Sequence, residues 1–132
     1  MKFMLDTDTC IFLMTGRNPA LTERILSRPA SDYAVSAVTA SELHFGAGRS
    51  TRPREAVERV KALCSEIAVA DFDEAAAASA GVVRAALAKE GKPIGPLDVL
   101  IGGHALALRL TLLTGNLREL KRIKGLRVES WG

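Results

Sequence analysis

Lys2-Phe3-Met4-Leu5-Asp6-Thr7-Asp8 decides the fold: a short apolar run that stops abruptly at an acid. A few apolar or β-prone residues bounded by polar ones predict a buried central strand. Such a strand carries Asp6 to its C-terminal end. In open α/β sheets ligands bind outside the carboxyl ends of the strands. An acid there, joined by acids from later segments, makes a site for a hard cation.

Outward from that run, Thr9 to Met14 is apolar and ends at Gly16, which predicts a short buried helix. Asn18-Pro19 supplies an N-cap and a first-turn proline for a helix through about Arg28. Tyr33 to Ser36 reads as a second strand, Thr39 to Gly48 and Pro53 to Glu66 as helices, and Ile67 to Val69 as a third strand. Asp73 caps an alanine-rich helix through Glu90, ended by Gly91, and Gly95-Pro96 opens another through Arg109. Leu110 to Thr114 is a fourth strand, Leu117 to Lys121 a short helix, and Leu126 to Glu129 an edge strand. This alternation predicts one α/β domain over residues 1–132, with a mostly parallel sheet of four to five strands flanked by helices.

The 132 residues suit a single core, and 48% hydrophobic content argues against disorder. No apolar run reaches the roughly 18 residues of a membrane span, and the first residues lack signal-peptide regions; a cytoplasmic protein with no membrane partner is expected. Cys10 and Cys64 form no C-x-x-C and read as two buried free thiols. The formal charge of +3 is compatible with a polyanionic partner.

Three acids fall at matching places: Asp6 ends the first strand, Glu42 lies near the start of the helix after the second, and Asp98 lies in the first turn of the helix before the fourth. Each also has an innocent reading. Asp6 can be a turn residue, Thr39-Ala40-Ser41-Glu42 matches a capping box, and Asp98 complements a helix dipole. Brought to one sheet edge, however, three carboxylates raise one another's pKa unless a cation neutralises them. Oxygen-only ligands favour Mg²⁺ or Mn²⁺ over zinc. Gly102 lies one turn after Asp98 and, with Gly103, implies close approach by a neighbouring helix or a substrate backbone. His44 and His104 point away from their nearest acids on a helix and read as packed or hydrogen-bonded residues. With no Ser/His/Asp set, the expected nucleophile is water activated by the cation.

In order, Met4-Leu5-Asp6-Thr7, Val38-Thr39-Ala40-Ser41-Glu42-Leu43-His44-Phe45-Gly46, Ile94-Gly95-Pro96-Leu97-Asp98-Val99-Leu100-Ile101-Gly102-Gly103-His104-Ala105 and Leu113-Thr114-Gly115-Asn116-Leu117-Arg118-Glu119-Leu120 resemble PIN-domain ribonucleases. More narrowly they are similar to the VapC toxins of bacterial toxin–antitoxin pairs, as is the ending Gly125 to Trp131. The resemblance implies a Mg²⁺-dependent endoribonuclease, usually a homodimer, held inactive by a cognate antitoxin. It places Asp6, Glu42 and Asp98 at the metal-binding positions, and it suggests a structured RNA such as a tRNA as substrate. Many members have an acid where this chain has Asn116, so either Asn116 or Glu119 completes the catalytic set. Where Asp8 stands, asparagine is frequent.

RNA grip requires cations around an acidic pocket. Arg118, Lys121 and Arg122, with Lys124 and Arg127, cluster near the C-terminus, and Arg49, Arg52, Arg54, Arg59 and Lys61 form a second group. With aromatic residues at 5%, base stacking platforms are scarce and recognition by RNA shape is expected. The run Cys10 to Met14 and the next helix are either core or a surface for an antitoxin segment. Two rival readings stand beside the nuclease. Asp6-Thr7-Asp8-Thr9-Cys10 nearly matches the D-x-D-x-T/V opening of haloacid-dehalogenase phosphatases, with Asp6 as nucleophile. Asn116 in place of an acid fits a non-catalytic domain that binds RNA or protein.

Overall fold

The computed structural model describes residues Met1–Gly132. Strands β1 (Phe3–Leu5), β2 (Tyr33–Ser36), β3 (Ala68–Ala70), β4 (Thr111–Leu113) and β5 (Val128–Glu129) form one sheet in the order β3-β2-β1-β4-β5. Every neighbouring pair is parallel. Helices α1 (Thr7–Thr15), α2 (Pro19–Leu26), α3 (Ala37–Gly48) and α4 (Pro53–Glu66) precede β3; α5 (Glu74–Lys89) and α6 (Pro96–Leu108) precede β4, and α7 (Leu117–Leu120) follows it. The first strand is central, as its apolar run predicts, and Met4 and Leu5 are fully buried.

The period-2 alternation of strand side chains divides the core between two faces. Phe3, Leu5, Tyr33, Val35 and Leu113 pack with Cys10, Leu21, Ile25, Leu43, Val60, Leu63 and Trp131 on one face. Met4, Ala34 and Leu112 pack with Ala80, Val83, Leu87, Ile101, Ala105, Leu120 and Ile123 on the other. Local signals hold at several ends. Asn18 accepts from the Leu21 N–H at 3.2 Å and Asp73 from the Ala76 N–H at 3.0 Å, while Gly16 takes the left-handed conformation at φ 68°.

Four local expectations are corrected. The box at Thr39 does not form: α3 begins two residues earlier, with Ser36 as N-cap accepting from the Val38 N–H at 3.1 Å. Helix α1 is not buried all round, since Phe12 is 37% exposed and only Thr9 and Cys10 are buried. Cys64 is half-buried, although Cys10 is fully enclosed and its thiol is pushed well up by burial. The last strand starts at Val128 because Leu126 packs against the α5–α6 face instead.

The connections settle what meets at the sheet edge. From β1 the chain moves to one side for β2 and β3, then crosses to the other side of β1 for β4. The C-terminal edge between β1 and β4 is therefore the switch point, where open α/β sheets form a crevice. Helix α6 feeds the start of β4, so its own first turn, with Asp98, lies at that same edge.

Candidate active site

Asp6 leaves β1 at the switch point and caps α1: its Oδ1 accepts from the Thr9 N–H at 2.8 Å. Its backbone N–H donates to the Leu113 carbonyl at 3.1 Å, and the Thr9 hydroxyl donates to the same oxygen at 3.2 Å. The buried carboxylate is thus fixed between the ends of β1 and β4, with Oδ2 left for a ligand. Glu42, half-buried on α3, accepts from the Thr7 hydroxyl through Oε1 at 2.7 Å. Because α3 is capped by Ser36, Glu42 has no capping duty and reaches across to the first turn of α1.

On the β4 side, the Thr114 hydroxyl accepts the Asn116 backbone N–H at 3.0 Å. That bond aims the Asn116 side chain, whose Nδ2 donates to Asp98 Oδ2 and to Glu119 Oε2, each at 3.3 Å. Asn116 and Glu119 are therefore members of one cluster with Asp98 and not alternatives. Burial pushes the Asp98 carboxyl above its usual range; the Asn116 hydrogen bond opposes this, and the negative charges of Asp6, Glu119 and Glu42 add to it. Carboxylates from three other segments thus lie within electrostatic reach of Asp98.

None of these acids enters an ion pair; the salt bridges of the molecule are Arg28–Asp32, Arg52–Glu55, Lys61–Glu58 and Lys124–Glu90. Negative charge gathered without protein cations calls for an outside one. No three His, Cys, Asp or Glu side chains converge into a ready-made metal cage. This open, all-oxygen arrangement fits Mg²⁺, which keeps several waters and uses one or two carboxylates, better than a closed metal site. The donor chemistry also admits Mn²⁺ and does not favour zinc.

Thr7 and Thr114, which hold Glu42 and Asn116, are members of the candidate site that the sequence reading missed. Both hydroxyls sit next to or near an acid in the quoted blocks, but nothing in their spacing ties Thr7 to a residue 35 positions away. Asp8 is exposed in the first turn of α1. Buried Asp6 and exposed Asp8 do not form the paired carboxylates that a D-x-D phosphatase needs.

Neither histidine joins the acids. His104 is buried, with Nδ1 2.8 Å from Ser36 Oγ and its ring edge-on to Phe72 at 5.2 Å. Ser36 Oγ thus joins the His104 ring nitrogen to the N-terminus of α3, where it also accepts from the Val38 N–H. Burial lowers the His104 pKa against the opposing effects of Asp73 and the Asp71 backbone. His44 is exposed on α3, so the packed reading fails for it.

Of the basic residues near the C-terminus, Arg122 donates to the Pro93 carbonyl, Arg127 to the Arg109 carbonyl, and Lys124 pairs with Glu90. Arg118 on α7 and Lys121 just after it are exposed and have no protein partner. In the second group, Arg52 and Lys61 pair with glutamates on their own helix. The Arg49 guanidinium lies 5.4 Å over the Phe45 ring. Away from the acids, Leu13, Met14, Ile25, Tyr33, Leu63 and Ile67 line an apolar groove of about 410 Å³.

Known proteins share this arrangement end to end. The PIN domain family matches residues 3–126. A tRNA(fMet)-specific endonuclease VapC of Salmonella typhimurium is 41% identical over 131 residues, spanning 99% of this chain and 98% of that one. Ribonuclease VapC2 of Haemophilus influenzae is 34% identical over the same shares. Among solved structures, DNA-bound VapBC from Salmonella typhimurium superposes with a TM-score of 0.94 at 40% identity, covering 100% of this chain and 99% of that chain. VapBC2 from Rickettsia felis, bound to a promoter DNA fragment, gives 0.91 at 27% identity with full coverage of both chains. Likeness of this extent in sequence and in fold leaves one assignment: the chain belongs to the PIN-domain family, on its VapC branch.

Proposed function

We propose that this chain is the endoribonuclease toxin of a type II toxin–antitoxin pair, hydrolysing phosphodiester bonds of structured RNA and inhibited by a cognate antitoxin. The observation that carries the proposal is the set of four carboxylates at the sheet switch point with no cationic partner. The Salmonella relative's action on tRNA(fMet) makes tRNA the substrate class, and the VapBC complexes supply the precedent for an antitoxin. On the same family likeness the toxin works as a homodimer, in the cytoplasm. No helix is long and apolar enough to cross a membrane.

Asp6 and Asp98 would hold Mg²⁺ or Mn²⁺, with Glu42 and Glu119 acting directly or through water. A bound divalent cation supplies a Lewis acid for the phosphate oxygens and lowers the pKa of an attacking water. The chain's residues do the positioning. Thr7 occupies Oε1 of Glu42 and leaves Oε2 to receive a proton from that water. Asn116 keeps Asp98 and Glu119 on either side of its amide and adds no charge. Arg118 and Lys121, free of protein partners, are placed to meet flanking phosphates, whereas Arg122 is partly committed to Pro93. The apolar groove between α1, α2 and α4, together with exposed Phe12, offers the antitoxin a surface. The non-catalytic reading rested on Asn116 replacing an acid; Glu119, held by that same amide, supplies a fourth carboxylate and favours the enzyme.

The test uses protein purified free of any partner and incubated with total tRNA in Mg²⁺ or EDTA, beside Asp6→Asn and Asp98→Asn. Fragments are expected from the wild type in Mg²⁺ alone. RNA left intact by the wild type, or cut equally well by both variants, overturns the assignment.

A further inference from the structure

The molecule has four Phe, one Tyr and one Trp. Phe3, Tyr33 and Trp131 are locked against one another, with ring centroids 4.9 to 6.4 Å apart. Phe45 differs: on α3, one turn past Glu42, its ring is 65% exposed. It lines a cleft of about 610 Å³ together with Val38, Ser41, Glu42, Phe72 and Leu97. The cleft opens directly onto the acidic site, because Glu42 lies in both and Leu97 adjoins Asp98. Phe72 is held in place by its edge-on contact with buried His104, so the aromatic surface it contributes is rigid.

We propose that this cleft receives an unpaired nucleobase of the RNA, beside the phosphate that a cation at Asp6 and Asp98 would engage. The proposal rests on the nuclease reading. Every base has a π-face, so an exposed ring beside a phosphate site stacks a base without needing its hydrogen-bonding edge. The Ser41 hydroxyl, also in the lining, can exchange a hydrogen bond with that edge. Charge matches as well: the Arg49 guanidinium, in no ion pair, lies 5.4 Å over the Phe45 ring, close enough to meet a phosphate next to the stacked base. Aromatic residues are few, yet one is exposed in a cleft next to Glu42, which adds stacking to recognition by shape.

The test measures binding of the full chain, with Ca²⁺ as the divalent cation at the oxygen ligands, to a fluorescein-labelled single-stranded RNA and to copies with one abasic position moved along the strand. Phe45→Ala and Phe45→Leu are compared with wild type and with Val82→Ser, a control for an exposed apolar side chain on α5. Phe45→Ala is expected to weaken binding of the intact RNA about tenfold, Phe45→Leu to recover part of the loss, and Val82→Ser to change nothing. One abasic copy is expected to bind wild type and Phe45→Ala equally. Three results overturn the proposal: equal losses on every abasic copy, no binding of any RNA by wild type, or conversion by Phe45→Ala of a dimer to a monomer in sedimentation, which gives the face to a second copy of the chain. Cleavage in Mg²⁺ is scored separately. Base-dependent binding with no cleavage sinks the nuclease reading and leaves the cleft, whereas cleavage with no Phe45 dependence does the reverse.

Discussion

At Asp98, burial and the charges of Asp6, Glu119 and Glu42 push the carboxyl above its usual range while the Asn116 amide pulls it back. A raised native pKa means that the folded chain binds this proton more tightly than the unfolded chain. Its contribution to stability is therefore complete at low pH and is lost as pH rises through the raised value. At neutral pH the metal-free protein carries a charge that it does not stabilise. Asp98→Asn removes that charge and keeps an oxygen for Asn116. It is expected to raise the urea midpoint of EDTA-treated protein at pH 7.5, while abolishing cleavage and most of the added stability that Mg²⁺ gives the wild type by linkage. A lower midpoint in EDTA would mean that the carboxylate is structural. The three acids were legible because each closes or opens a predicted element. Thr7 and Thr114 were not, since a hydroxyl's partner across the fold leaves no mark on the local pattern.

Element boundaries were readable wherever the signal is a cap, because a cap is satisfied by its own neighbours: Asn18, Asp73 and the Gly95-Pro96 opening all act within one turn. The start of α3 was not, because Ser36 and Thr39 are both good N-caps and the choice depends on where β2 ends. Packing of α6 is the other element-scale feature, and its paired glycines separate two kinds of closeness. A Cβ on Gly103 would lie 2.5 Å from Ala80 Cα, and the α5 backbone cannot yield. A Cβ on Gly102 would lie 2.5 Å from Ile123 Cδ1, the movable end of a side chain. Gly103 thus meets the α5 backbone, and Gly102 meets side chains of α7 and the segment after it. Gly103→Ala is expected to cost about 1–3 kcal/mol from overpacking, net of the roughly 1 kcal/mol that alanine returns in helix propensity. Gly102→Ala should cost clearly less. Urea midpoints of the two variants decide it, and equal losses would contradict a rigid α5–α6 contact.

Across the whole molecule, parallel strands and one switch point bring acids 92 positions apart to the same edge, a consequence of strand order that residue spacing alone does not reveal. The same topology places α7 directly after β4, so exposed Arg118 and Lys121 lie on and just after the helix that carries Glu119. A net charge of +3 is too small to draw a polyanion by itself; what matters is which cations are free of any protein partner, and near the C-terminus those are Arg118 and Lys121. Each phosphate neutralised by a cation contributes about −0.7 to the slope of log K against log salt for a single strand and about −0.9 for a duplex. Arg118→Glu and Lys121→Glu are expected to weaken tRNA binding and flatten that slope by at least one phosphate's share. Arg127→Glu should flatten it less, because one face of that guanidinium is drawn to the Arg109 carbonyl. Titrations between 50 and 200 mM salt measure it. If the slope stays constant for Arg118→Glu and Lys121→Glu, the C-terminal rim has no phosphate contact and the RNA must enter from the Arg49 side of the cleft.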